Sequence, residues 1–332
     1  MNTQDPIRRP LLAGSVARAL RVGLVVAATA AIVAACTAGA TPEPSAEPTE
    51  APSAAPSATP APTPDACAPE NLALVTAGQL TLGTDNPAYP PYFEPGDGPF
   101  TPPWEDLGFT GDPGSGKGFE GAVAYAVAEQ LGFAADKVSW VVVPFANAFA
   151  PGPKDFDFVI NQVSYKPERA QNVDMSEGYY FLNQAVVALK ENPASGATSI
   201  ADLKDYRFGA QVGTTSYDAI NNVIAPTTTT SVYDTNDAAI EALKAKQIDA
   251  IVVDLPTADF ITNVQIEGGA ATIVGQLEPA GAEPEYFSLV LGKGSALTEC
   301  VNKAVVALRD NGTLDALASE WLPFQDAVPV LK

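Results

Sequence analysis

From Gln79 onward the chain alternates short apolar runs with segments whose apolar residues recur every three or four positions. Gln79–Gly83 reads as a strand. Phe119, Val123, Val127 and Leu131 place one apolar stripe along a helix over Phe119–Leu131, closed by Gly132. Val138–Val143, Phe156–Ile160 and Gln184–Leu189 follow as strands. A second series begins near Asn192: a short helix at Ser199–Lys204, a strand at Arg207–Val212, a helix at Ser216–Ile224, an extended Ser231–Tyr233 and a helix at Asp237–Lys246. Ile248–Val253 is then a strand and a helix starts near Pro256. Tyr286–Leu291 reads as a strand that returns to the first set, followed by helices over Leu297–Arg309 and from Thr313 to about Leu322. Strands alternating with helices predict an α/β protein with largely parallel sheets covered by helices.

The first 66 residues follow a different pattern. Arg8, Arg9, Arg18 and Arg21 precede the uncharged stretch Val22–Ala35, which is short for a membrane span. It ends in Val33-Ala34-Ala35-Cys36, which looks like a lipobox, so residues 1–35 are expected to be a lipoprotein signal peptide and Cys36 to carry lipid. The other reading is a plain signal peptide with a chance cysteine. Arg8-Arg9-Pro10-Leu11-Leu12 loosely resembles a twin-arginine signal, which leaves the export route open. Residues 36–66 are almost wholly Thr, Ala, Pro, Ser and Glu, a composition that cannot bury a core and predicts a disordered tether. At ~3 Å per residue it would reach ~90 Å. The two remaining cysteines, Cys67 and Cys300, bracket the folded part, and in an exported protein they are expected to form a disulfide rather than stay as free thiols.

About 265 residues remain after the first 66, enough for two modest α/β lobes. The formal charge of the whole chain is −21. Four of its 18 basic residues and one of its 39 acidic residues lie upstream of Cys36, so processing there leaves −24. Such a surface repels phosphate backbones, which excludes nucleic acid as a natural partner. A hydrophobic content of 46% excludes an acidic disordered chain. The chain has no histidine, which removes Ser-His-Asp and Cys-His catalysis and any His-ligated zinc site, while carboxylate catalysis stays open because acidic residues are plentiful. Binding fits this composition better than catalysis, and no cofactor or metal is expected.

Four short segments carry candidate chemistry. Gly111-Asp112-Pro113-Gly114-Ser115-Gly116-Lys117-Gly118 nearly spells a phosphate-binding loop, but Gly118 stands where Ser or Thr should hold magnesium. It also follows a Pro/Gly-rich stretch and not a strand, so it is read as a decoy. Gly213-Thr214-Thr215-Ser216 joins a strand to a helix and suits either an anion or ordinary N-capping. Asn161-Gln162-Val163-Ser164 ends a strand and Arg169 follows, one of three arginines downstream of Cys36. Its planar fork suits a carboxylate, or it pairs at the surface with Glu168 or Asp174. Asp254 ends an apolar strand, where it could receive a ligand ammonium or cap the turn before Pro256.

Together these segments resemble the polar amino-acid family of extracellular solute-binding proteins. The strings that carry the resemblance are LTLGTDNPAYPPYFE (80–94), GKGFEGAVAYAVAEQLGF (116–133), FDFVINQVSYKPERAQNVDMSEGYY (156–180), ADLKDYRFGAQVGTTSYDAI (201–220) and ALKAKQIDAIVVDLPTA (242–258), in the family's order. The resemblance implies a two-lobed, periplasmic-binding-protein-like type II fold, with two mostly parallel sheets joined by hinge strands near Gln184–Lys190 and Glu285–Leu291. Residues 67–190 with 285–332 would form lobe 1 and 191–284 lobe 2. It further implies that Arg169, with Ser164, Thr214 and Thr215, holds a ligand α-carboxylate and that Asp254 receives the α-ammonium. Asp85 and Tyr89 match a first-lobe loop whose ring packs on the ligand, Phe145 an aromatic wall, and Gln162 a side-chain or ammonium contact. The implied protein is a monomeric lipoprotein on the outer face of the cytoplasmic membrane that passes a free amino acid to an ABC permease and its ATPase. A cyclohexadienyl-type dehydratase and a sensory lipoprotein without transport are the rival readings. The stretch Pro95–Lys117 is longer than the family core, and APGPK after Phe149 shortens a helix.

Overall fold

The computed structural model describes residues 65–281, 283–323 and 328–332. The expected signal peptide, Cys36 and nearly all of the tether lie outside the described residues. In chain order the main elements are β1 (Leu80–Thr84), α1 (Phe119–Gln130), β2 (Val138–Val142), α2 (Phe145–Ala148), β3 (Phe158–Val159), β4 (Val173–Leu182) and β5 (Gln184–Leu189). They continue with β6 (Phe208–Gln211), α3 (Thr215–Ala219), β7 (Ser231–Tyr233), α4 (Asn236–Lys244), β8 (Ala250–Asp254), α5 (Leu255–Phe260) and β9 (Ala271–Leu277). β10 (Glu285–Gly292), α6 (Thr298–Asp310) and α7 (Thr313–Trp321) complete the order.

The strands form two five-stranded sheets, β2-β1-β3-β10-β4 and β7-β6-β8-β5-β9. Each carries three parallel strands on one side, and two antiparallel strands on the other. The sheets are therefore mixed, where the sequence pattern predicted mostly parallel ones. The antiparallel strands are the ones that connect the lobes: β4 runs through Asn183 into β5, and β9 returns into β10. Gln184–Leu189, expected as a hinge strand of lobe 1, pairs along its length with β8 and β9 in the second sheet. The crossing thus sits at Asn183, seven residues before the expected boundary after residue 190.

Helices cover both faces of the second sheet, which is why β5 reads as an unbroken apolar run. Ala185, Val187 and Leu189 join one core with Ile240, Leu243 and Ile261, while Val186 and Ala188 join the opposite core with Leu203, Phe208 and Ile220. Alternate side chains of one strand thereby serve two cores. In lobe 1, Leu80 and Leu82 of β1 pack with Phe119, Val123 and Val127 of α1 and Val301 and Val305 of α6. The C-terminus departs from the expected lobe assignment. Val330 bridges to Gln276 of β9 and Leu331 is buried in the second lobe's core. Gly275 permits this approach, because a Cβ there would lie 2.6 Å from Leu331 Cγ.

Cys67 and Cys300 are joined by a disulfide with a Cα–Cα distance of 5.5 Å, tying the start of the described chain to α6. Among the described residues no helix is long and apolar enough to cross a membrane. A Cys300→Ser variant is expected to lose about 2–5 kcal/mol of stability. Thermal or urea unfolding of the two proteins checks this, and superimposable transitions would show that the bridge constrains nothing that folding does not already constrain.

Candidate functional site

The carboxyl ends of the parallel strands of both sheets face one cleft, the place where α/β sheets present side chains to ligands. β1 delivers Asp85, the segment after β3 delivers Gln162, β6 leads into Thr214 and Thr215, and β8 ends in Asp254. A cavity of about 180 Å³ lies between them and is lined by residues of both lobes. That is below the roughly 300–1,000 Å³ of sites for drug-sized ligands, and suits a small solute.

Arg169 supplies the cavity's positive charge. It is 5% exposed, so the expectation of a surface arginine paired with Glu168 or Asp174 does not hold. Asp174 instead pairs with Lys293. The guanidinium lies 4.4 Å from the Phe149 ring centroid and 5.4 Å from that of Phe145. One terminal nitrogen donates to the Ser164 carbonyl at 2.5 Å and the other to the Gly213 carbonyl of lobe 2 at 2.9 Å. Burial lowers its pKa to about 10, against the opposing pull of Glu285 and Asp254. Five N–H donors leave capacity beyond these two bonds.

Asp254 lies across the cavity from another element and another lobe. It makes no capping bond to α5, which removes the capping reading. Its carboxylate accepts from Gln184 Nε2 at 2.7 Å. Burial, and then the nearby Glu285, push its pKa well above the carboxylate range, with Gln184 and Arg169 acting the other way. Glu285 accepts from the Ser164 hydroxyl at 2.6 Å and from Gln184 Nε2 at 3.1 Å. Behind them Glu120 of α1 is fully buried and accepts from the Gln162 backbone N–H at 2.7 Å, from the Gln162 amide and from the Tyr179 hydroxyl. Burial raises Glu120 to about 7 despite these donors.

The far end of the cavity is also acidic. Asp85 accepts from the backbone N–H groups of Asn86 at 2.8 Å and Phe145 at 3.1 Å, which fixes the loop after β1. The Tyr89 hydroxyl donates across the cleft to Asp237 in the first turn of α4 at 2.8 Å, and Gln265 Nε2 donates to the other Asp237 oxygen at 3.0 Å. The long segment after Pro95 reaches this end: Trp104 Nε1 donates to the Asp85 carbonyl at 2.8 Å, and the Phe109 ring stacks on Tyr89 at 6.3 Å.

Of the nine residues expected to bind ligand, Asp85, Tyr89, Phe145, Gln162, Arg169, Thr214, Thr215 and Asp254 line the one cavity, and Ser164 touches its wall through Glu285 and Thr215. Two have local duties that sequence reasoning left open. Thr214 is the N-cap of α3, accepting from the Tyr217 N–H, and Gln162 spends its amide on Glu120. Glu120, Gln184, Asp237 and Glu285 were missed. Glu120 had a readable signal, an acid one turn from Val123 in the stripe that α1 buries. Asp237 looked like an ordinary first-turn acid. In the near-phosphate loop, Lys117 pairs with Asp97 at 2.9 Å.

Residues 100–324 match the model of bacterial extracellular solute-binding proteins, family 3. Among curated proteins, the arginine-binding extracellular protein ArtP of Bacillus subtilis is 27% identical over 61% of this chain and 77% of its own length. The L-cystine-binding protein TcyJ of Escherichia coli is 27% identical over 74% of this chain and 82% of its own. Among solved structures, an ancestral arginine-binding protein bound to glutamine superposes with a TM-score of 0.57 at 28% identity, covering 74% of this chain and 99% of that one. The architecture is accordingly that of the two-lobed type II binding proteins.

The buried acid of α1 sets a pH dependence. A carboxyl whose folded pKa stands near 7 instead of 4.5 binds more protons in the folded than in the unfolded state between those values. Its contribution therefore falls as pH rises from about 4.5 to about 7, on the order of 3 kcal/mol over the window. Glu120→Gln is expected to flatten the decline in melting temperature over that range. An unchanged slope would mean that Glu120 is ionised throughout.

Proposed function

We propose that this chain, which belongs to the bacterial extracellular solute-binding proteins of family 3, is the receptor of an ABC importer for an amino acid, closing two lobes around a zwitterion and releasing it unchanged. One observation carries the reading: a buried guanidinium from lobe 1 and a carboxylate from lobe 2, Arg169 and Asp254, line the same small cavity. An α-amino acid offers the complementary pair, with its carboxylate toward Arg169, the Thr215 hydroxyl and the Ser164 region, and its ammonium toward Asp254. Neither charge is well placed without such a partner, because burial without compensation is costly. The resemblance to proteins named for arginine and cystine binding supports an amino acid as the solute.

On this reading Asp254 also links binding to protons. An incoming ammonium stabilises the ionised carboxylate and so releases the proton that burial favours. The protein carries no catalytic group on this account, and Asp254 and Glu120 serve charge balance. Cys36 is the lipid attachment point, the segment up to residue 66 is the tether, and the partners are a permease and its ATPase. The chain acts as a monomer, since one copy supplies both walls of the cleft.

Arg169→Ala is expected to weaken amino-acid binding by at least about a hundredfold, since it removes a buried charge-assisted contact. Titration calorimetry on a variant whose unfolding transition is intact checks this, and near-normal affinity would remove Arg169 from the site. Cys36→Ser is expected to move the protein from the membrane fraction into the soluble exported fraction. Continued membrane association would assign the anchor to another segment.

A further inference from the structure

The charge inventory of the cavity is lopsided. Arg169 is its one guanidinium, whereas Asp85, Asp237 and Asp254 all line it. Pairing an α-amino acid with Arg169 and Asp254 uses the positive group and one of the three acids. Asp85 and Asp237 remain, one from each lobe, at the end that a ligand side chain would occupy.

Every donor these two acids receive is neutral. Asp85 takes two backbone N–H groups, and Asp237 takes a phenol and a side-chain amide. Among the described residues no lysine or arginine forms an ion pair with either. Burial raises the Asp85 pKa most, with Asp237 adding to it, and both acids contribute to raising the Tyr89 phenol, whose largest influence is burial. Lobe closure therefore brings two like charges toward one space, an arrangement that costs energy until a cation enters it. A carboxylate has about four acceptor positions, so each acid retains capacity after its two existing bonds. The rings of Tyr89 and Phe260, 5.8 Å apart, flank the approach and offer apolar cover for a hydrocarbon stem.

We infer that Asp237 is a specificity-determining residue which, with Asp85, makes the receptor select amino acids whose side chain ends in a positive charge. The inference rests on the amino-acid reading above and names its substrate class. A guanidinium or ammonium bridging the two acids would tie lobe 2 to lobe 1 at a point distant from Arg169. A neutral side chain of the same shape would leave both carboxylates facing each other without compensation.

Arginine and citrulline provide the test, since they differ in little beyond a guanidinium against a neutral urea. Titration of the purified full chain is expected to show arginine binding at least about tenfold tighter than citrulline, in keeping with charge-assisted contacts. Asp237→Asn keeps an acceptor for the Tyr89 hydroxyl and is expected to bring that ratio toward unity, with arginine bearing the loss. A merely structural role, acting through closure, would weaken both ligands alike and leave the ratio unchanged. Tyr89→Phe, which removes the cross-lobe bond but neither acid, should retain the preference for arginine. The inference is overturned if citrulline or another neutral amino acid binds wild type as tightly as arginine, even when that binding still needs Arg169 and the amino-acid reading survives. Failure of all amino acids to bind would overturn both.

Discussion

A buried guanidinium and a half-buried carboxylate, held on different lobes and turned toward one space, are the constraint around which this molecule is arranged. Arg169 has been withdrawn from water and Asp254 largely so, and neither makes an ion pair within the protein among the described residues. Arg169 rests on two aromatic rings and donates to carbonyl groups, which hold its orientation without neutralising it. Asp254 has one amide donor and an acidic neighbour, an arrangement that favours its protonated form. A dipolar solute of the right length supplies the missing opposite charge to both groups at once. Ligand affinity and lobe closure then draw on the same electrostatic compensation.

The surrounding structure makes that compensation conditional on shape. Among the described residues the strands cross between the sheets through Asn183 and through the segment between β9 and β10, and the end of the chain adds a further tie by placing Val330 and Leu331 on the second lobe after α7 of the first. Contacts between the lobes include Tyr92 with Thr257 at 3.2 Å, Ser164 with Thr215 at 3.4 Å, Lys166 with Asp218, Tyr89 with Asp237, the Tyr89 and Phe260 rings, and Arg169 with the Gly213 carbonyl. The exposed and half-buried polar contacts among these contribute little each. A ligand with several buried charge contacts can therefore decide the position of the lobes. A partner that reads lobe position would read occupancy.

Much of this was legible in the residues, for identifiable reasons. The elements buried on both faces, such as β5 and β8, appear as uninterrupted apolar runs, and the α1 stripe has helical spacing. Arg169 stood out because arginine is scarce, and Asp254 because it ends an apolar strand. β4 and β9 were not legible. β4 pairs with β10 through register shifts, so its Ser, Glu and Gly positions break the alternation a strand should show. β9 follows two glycines and contains a third that exists to admit Leu331, a contact made from 56 residues away in sequence. The acids Asp237 and Glu285 escaped notice because their meaning depends on the opposite lobe. Local sequence cannot distinguish a solvated acid from one that closure carries into a cleft.

The central claim concerns two charges on the ligand, and it is tested most directly from the ligand's side. The affinity of one amino acid should be measured by calorimetry beside its decarboxylated amine and its deaminated acid, on the same preparation. The account predicts tight binding of the amino acid and losses of at least about a hundredfold for each analogue, because each deprives Arg169 or Asp254 of the opposite charge that the amino acid brings. Comparable affinity for either analogue would contradict it.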